Sequence, residues 1–180
     1  MALLLALLSL ATTTAAAEPM PDAPPVAVFA ELDGSWEGAF VGWDAAGQEQ
    51  YRIQVRQTYR TLNDTVQEVR IEDRLPDGTV ITGKGRNVAH RRDDGSLDLR
   101  CEVKKSNGDR VVHQGRLVTG PDGGHQIIWH SDGGDRVESF REYVETGPDG
   151  DVYVIAGTGR YGATLMIMAG RYHRTDDGDD

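Results

Sequence analysis

Cysteine, positive charge, long apolar runs and helical periodicity are all scarce in this chain, and each scarcity closes off a class of answers. Cys101 is the single cysteine, so no intramolecular disulfide can form and stability has to come from a packed core. Lysine and arginine number 19 against 29 aspartates and glutamates, a formal charge of −10. A chain this acidic is a poor partner for nucleic acid or for an anionic membrane surface. The one marked apolar run, Leu3 to Leu10, is far shorter than the ~20 residues a spanning helix needs, so membrane insertion is not expected. No segment holds a helical period of useful length apart from a turn near Val28 to Leu32.

That apolar run ends in threonine and alanine and leads to Ala15-Ala16-Ala17 before Glu18, the layout of a cleavable export signal over residues 1–17. No cysteine stands beside the cleavage position, which argues against a lipid anchor. Residues 18–30, with Pro19, Pro21, Pro24 and Pro25, read as an extended linker because proline fixes φ and removes backbone donors. The expected domain runs from 31 to 174, and the acidic end 175–180 reads as a disordered, solubilising tail. The expected destination is the periplasm or the medium.

Between those ends the chain alternates apolar and polar residues in short segments. In the segment that starts at Tyr51, residues Tyr51, Ile53, Val55 and Tyr59 face one way while Arg52, Gln54, Arg56 and Arg60 face the other. The same pattern predicts strands near 35–43, 50–60, 65–74, 79–91, 96–104, 110–119, 125–130, 136–146, 151–158 and 163–174. Tight turns such as Pro76-Asp77-Gly78, Asp93-Asp94-Gly95 and Gly147-Pro148-Asp149-Gly150 separate them. Short connections pair sequential neighbours. The fold class is therefore all-β, an up-and-down antiparallel meander of about eight to ten strands, closed into a barrel because an open sheet of that size exposes its edges.

Leu32-Asp33-Gly34-Ser35-Trp36-Glu37-Gly38 opens the first strand and Arg171-Tyr172-His173-Arg174 closes the last. This pairing resembles the lipocalin and wider calycin pattern, including small bacterial lipocalin-like domains of unknown function. The resemblance implies that Gly34 and Trp36 close one end of the barrel, with Arg171 or Arg174 stacked on the indole. Nitrobindin-like haem barrels are similar in shape and carry an axial histidine before the C-terminal arginine. Here Ala163 to Gly170 holds no histidine, so haem is not expected, nor any other cofactor.

An interior implies a ligand, and alternation alone nominates what would line it. The candidate ligand-binding residues are Tyr51, Ile53, Val55, Tyr59, His113, Leu117, Ile127, Trp129, Met166 and Met168, with Val69, Ile71 and Val154 on the same argument. Glu138 and Glu142 alternate with Phe140 and Val144, so that side either lines a polar part of the cavity or, the reading preferred from residue type, is a solvated face. Of the five histidines, His125 and His130 fall on opposite faces of one strand and cannot chelate a metal together, and no metal site is expected. His90 sits at a strand end, and only His113 is placed to point inward. Gly83-Lys84-Gly85 and the stretch Gly157 to Gly162 precede no helix and read as bends at barrel corners, not as phosphate loops. Cys101 shares a face with Leu97 and Leu99 and reads as a small buried hydrophobe. The expected function is non-enzymatic binding of a small apolar or amphipathic molecule. The alternatives are a calycin-type enzyme with His113 as acid or base, and a barrel scaffold for protein interaction.

Overall fold

Strands joined by tight turns can only pair with their sequence neighbours, so the remaining question for such a meander is what the first and last strands do. In the computed structural model, which describes residues 28–120, 124–133 and 136–175, they pair with each other. The expected leader at 1–17, most of the expected linker, and the tail beyond Thr175 lie outside the described residues.

Ten strands follow one another: β1 (Gly34–Asp44), β2 (Glu49–Asn63), β3 (Val66–Arg74), β4 (Val80–Arg91), β5 (Leu97–Lys105), β6 (Arg110–Thr119), β7 (His125–Gly133), β8 (Arg136–Gly147), β9 (Gly150–Tyr161) and β10 (Thr164–Thr175). Each is antiparallel to the next, and β1 closes on β10 with Trp36 opposite Arg174 and Gly38 opposite Tyr172. Closure leaves no edge strand among the described residues. All ten predicted segments are strands. β9 runs on through the glycine stretch that the alternation ended at residue 158, because those glycines let the sheet bend without breaking. A Cβ on Gly157 would collide with the Ser139 carbonyl oxygen and the Phe140 Cβ, an approach only glycine permits.

One end of the barrel is sealed by the segment ahead of β1. Phe29 is buried to 2 % exposure and Leu32 is buried beside it, flanking a single 3-10 turn over Ala30–Leu32. Among the described residues the packing thus already includes Val28 and Phe29, inside the expected linker, because the apolar side chains of this segment plug the barrel. Asp33 fastens the plug: its Oδ1 accepts from the Thr61 N–H at 2.8 Å, the Thr61 hydroxyl at 2.9 Å and the Gln67 amide at 2.8 Å. The same Gln67 amide also donates to the Phe29 carbonyl at 2.8 Å.

Trp36 lies above the plug with no exposed surface, its indole N–H donating to the Leu32 carbonyl at 2.8 Å. Tyr153 packs 5.6 Å from it, and Tyr172 and Tyr59 stand 5.4 and 5.9 Å from Tyr153, which fills this end with aromatic rings. The Arg174 guanidinium sits 4.2 Å from the Trp36 ring centroid and also donates to the Asp33 carbonyl. Of the two arginines, then, Arg174 stacks. Arg171 has the opposite parity, points outward and pairs with Glu145 at 2.8 Å. Gly34 is required here twice over: its φ is +110°, and a Cβ would lie 2.6 Å from the Arg174 guanidinium. Replacing Trp36 with Ala should lower unfolding stability by about 3–5 kcal/mol, and Arg174 with Ala by about 1–2 kcal/mol, in urea titrations followed by circular dichroism. A loss below ~1 kcal/mol for Trp36→Ala would show that the barrel does not depend on this end.

Candidate functional site: the barrel interior

Away from the aromatic end the inward side chains do not meet across the lumen, and a cavity of about 410 Å³ remains. The volume falls in the ordinary range for small-molecule pockets, ~300–1,000 Å³. Seven of the ten residues nominated by alternation line it: Tyr51, Ile53, Val55, Tyr59, His113, Trp129 and Met168. Val69 and Ile71 join them. The other three nominated residues lie elsewhere. Ile127 is buried in the core of the closed end and Leu117, its partner across the β6–β7 ladder, packs against that core. Met166 is buried at the opposite end of the barrel, between Gly159 and Asp44 on the flanking strands, and does not line the cavity. Val154 is a correction: Tyr153 and Ile155 hold the inner face of β9, so Val154, although buried, lies on its outer side.

The wall is less apolar than expected. Glu138 and Glu142, read from residue type as a solvated face, are 5 % and 6 % exposed and line the cavity. Asp73, Lys105, Asn87, Arg136 and Tyr161 line it as well, none of them nominated from sequence. The signal was present in the alternation, since Asp73 falls on the inner parity of β3 with Gln67, Val69 and Ile71, as Glu138 does with Phe140. What hides it is that a carboxylate inside a barrel needs partners, and apart from Arg136 two residues from Glu138 these come from other strands and are invisible until the strands are assembled.

Most of those partners are in place. The Lys105 ammonium donates to Asp73 at 2.6 Å. Glu138 is held by the Arg136 guanidinium at 2.9 Å, by His113 Nε2 at 3.2 Å and by the Tyr161 hydroxyl, with Arg136 lying 5.2 Å from the Tyr161 ring centroid. Burial opposes the charge on Glu138, but these hydrogen bonds outweigh it and hold the carboxyl down to about 2. The Arg136 side chain is 48 % exposed, so solvent reaches this cluster. His113 is oriented from its other side by Phe140, whose ring meets it edge to face at 5.0 Å.

Glu142 has a different environment. Tyr153 donates its hydroxyl to Oε2, and the Trp129 side chain lies close to the carboxylate. Burial dominates, and the carboxyl is pushed above its ordinary value of 4.5. The Tyr153 hydroxyl oxygen also lies 3.2 Å from that of Tyr59, whose own hydrogen goes to Gln57 at 2.8 Å. Cys101 faces this region, and burial raises its thiol to about 12, which excludes it as a thiolate nucleophile at neutral pH. No group of three metal-ligating side chains gathers among the described residues. His90, His125 and His130 are exposed and none lines the cavity.

A sealed aromatic end, a continuous meander and a hollow upper half are the architecture of one known barrel type. The fold is lipocalin-like. It matches the crystal structure of Rv2717c from M. tuberculosis with a TM-score of 0.59 at 14 % identity, over 86 % of this chain and 99 % of that one. It also matches the S-type phycobiliprotein lyase CPES from Guillardia theta with a TM-score of 0.59 at 13 % identity, over 83 % and 91 % of the two chains. At such identities the likeness establishes the fold and nothing finer. No family model matches the chain, and no curated protein matches it.

The two glutamates should act on stability with opposite signs. Glu138 titrates below its ordinary 4.5 in the folded state, so its stabilisation is complete above pH 4.5 and is lost as pH falls toward 2. Glu142 titrates above 4.5, so its ionisation weighs against the fold as pH rises past that point. Glu138→Gln should therefore cost about 1–3 kcal/mol at pH 7, with the deficit closing by about pH 2–3, whereas Glu142→Gln should be neutral or stabilising at pH 7. Denaturant titrations of both variants across that range check this, and equal losses at pH 7 would contradict it.

Proposed function

We propose that this protein is an exported carrier that holds one small amphipathic molecule inside its barrel. The observation that carries the reading is the cavity itself: the interior is packed solid at the Trp36 end and hollow above it, with Val55, Val69, Ile71 and Val103 as an apolar wall and charged groups at intervals round it. A lumen left empty forfeits packing contacts that larger side chains could supply, a cost that a bound molecule would offset. Export rests on the leader pattern at 1–17, and the charge of −10 disfavours nucleic acid as an alternative partner.

The neutral dye N-phenyl-1-naphthylamine should brighten on entering the wild-type barrel. Ile53→Trp places a large ring into the cavity from a half-buried wall position and should weaken that uptake by at least about tenfold, with thermal unfolding still cooperative. No uptake by the wild type, or undiminished uptake by a folded Ile53→Trp variant, would contradict an internal site. Export is checked separately: protein recovered from the periplasm or the medium should begin at Glu18 by intact mass, and a cytoplasmic protein retaining residues 1–17 would contradict it.

One contact favours a second reading, acid–base catalysis. His113 and Glu138 meet at 3.2 Å inside the cavity, an arrangement in which a carboxylate orients an imidazole toward bound substrate. Under the carrier reading His113→Ala leaves dye uptake within a few-fold of wild type. A turnover activity abolished by that variant would favour the enzyme.

A further inference from the structure

Three carboxylates line the cavity, and they differ in one respect. Asp73 has Lys105 at 2.6 Å and Glu138 has Arg136 at 2.9 Å, so each charge is cancelled where it stands. Glu142 has no lysine or arginine partner among the described residues. Its hydrogen bond comes from the neutral hydroxyl of Tyr153, and the nearby imidazole of His113 is hydrogen-bonded to Glu138 instead. An ionised carboxylate can accept about four hydrogen bonds, so acceptor capacity remains. A carboxylate removed from water without a cation is among the costliest groups a protein can bury.

A second, independent atom points the same way. Asn87 is 2 % exposed and lines the same cavity; its amide nitrogen donates to Gln67 at 3.0 Å, but its Oδ1 is buried with no hydrogen-bond partner. Buried polar atoms are nearly always satisfied, and this one, on a residue of the cavity wall, is left short of a donor. The cationic wall groups Lys105 and Arg136 are already committed to Asp73 and Glu138, so the unmet demand of the wall is for donors and positive charge.

We infer that the cavity selects a small amphipathic amine, bound as its ammonium ion with Glu142 as counter-ion. The inference rests on the carrier reading and adds the chemical class of its ligand. An ammonium group brings three donors and one charge, while its hydrocarbon part lies against Val55, Val69 and Ile71. The same site rejects a carboxylate of equal size, which would enter a barrel already lined by three acids in a chain of charge −10.

The test is a matched series, hexylamine, 1-hexanol and hexanoate, titrated at pH 7 by calorimetry into the folded protein. Hexylamine should bind at least about tenfold more tightly than either of the others, and Glu142→Gln should erase that preference while leaving hexanol affinity within about threefold. Retained hexanol binding shows that the variant cavity is intact, and the wild-type ranking decides the matter even if the variant folds poorly. Hexanol or hexanoate binding as tightly as hexylamine overturns the inference and leaves the carrier standing. An amine preference that survives Glu142→Gln does the same. Binding of none of the three overturns both.

Discussion

Closing ten strands on themselves removes every edge but creates a lumen wider than inward side chains can fill, and the molecule depends on how one end of that lumen is stopped. The contact that stops it is Arg174 on Trp36. It ties the first residues of β1 to the last of β10, the only ladder among the described residues whose partners are not sequence neighbours. Every other ladder could form locally behind a tight turn; this one requires the whole meander to have curled round. The Arg174 guanidinium reaches past the indole to the Asp33 carbonyl, while the Asp33 side chain binds Thr61 and Gln67 and Gln67 binds the Phe29 carbonyl. The seam, the plug and strands β2 and β3 are thus held by one connected set of contacts. Such a set stays rigid because each polar group in it has its partner.

That division of labour leaves the other half free to be hollow. The closed end contains Trp36, Tyr153, Tyr172 and the plug residues Phe29 and Leu32, and four of these are among the largest fully buried side chains of the described residues. Above it the strands carry β-branched residues and charges, and what holds them in register is the closed ladder instead of packing across the lumen. A lumen of this kind can hold polar groups at positions a solid core would not tolerate. Asp73 with Lys105, and Glu138 with Arg136, His113 and Tyr161, are satisfied by groups from other positions on the wall, and each arrangement relies on the barrel having brought distant segments together.

The alternation of Tyr51, Ile53, Val55 and Tyr59, and the turns built on Pro-Asp-Gly, make the meander legible in the sequence, because strand parity is a local property. The lining residues of β2 follow directly from it. Where parity misleads, the missing information is non-local. Arg171 and Arg174 differ by an odd number of positions, so only the register of β10 against β1 could say which one meets Trp36. Val154 and Tyr153 are both apolar and adjacent, and nothing short of the β9 ladder tells which is inside. Glu138 and Glu142 have the right parity, but residue type assigns them to solvent because carboxylates usually seek water. Met166 and Met168 share a face, but only one reaches the cavity, since depth along the barrel axis depends on the stagger of the strands and not on parity.

The same distinction between parity and depth orders the chemistry of the interior. The acid–base groups sit at two levels. Arg136 brings solvent to the Glu138 cluster, whereas Glu142 lies against Tyr153 and Trp129, beside the aromatic end. Water can reorganise around the first and screens it; the second is more deeply buried, where an interaction of given geometry is worth more and an unmet one costs more. A molecule entering the barrel would therefore pass charges that are already paired before it reaches the one that is not. Under the inferred amine selectivity, discrimination would arise where the wall has a demand of a single sign, at Glu142, which Tyr153 links to the Trp36 end of the barrel.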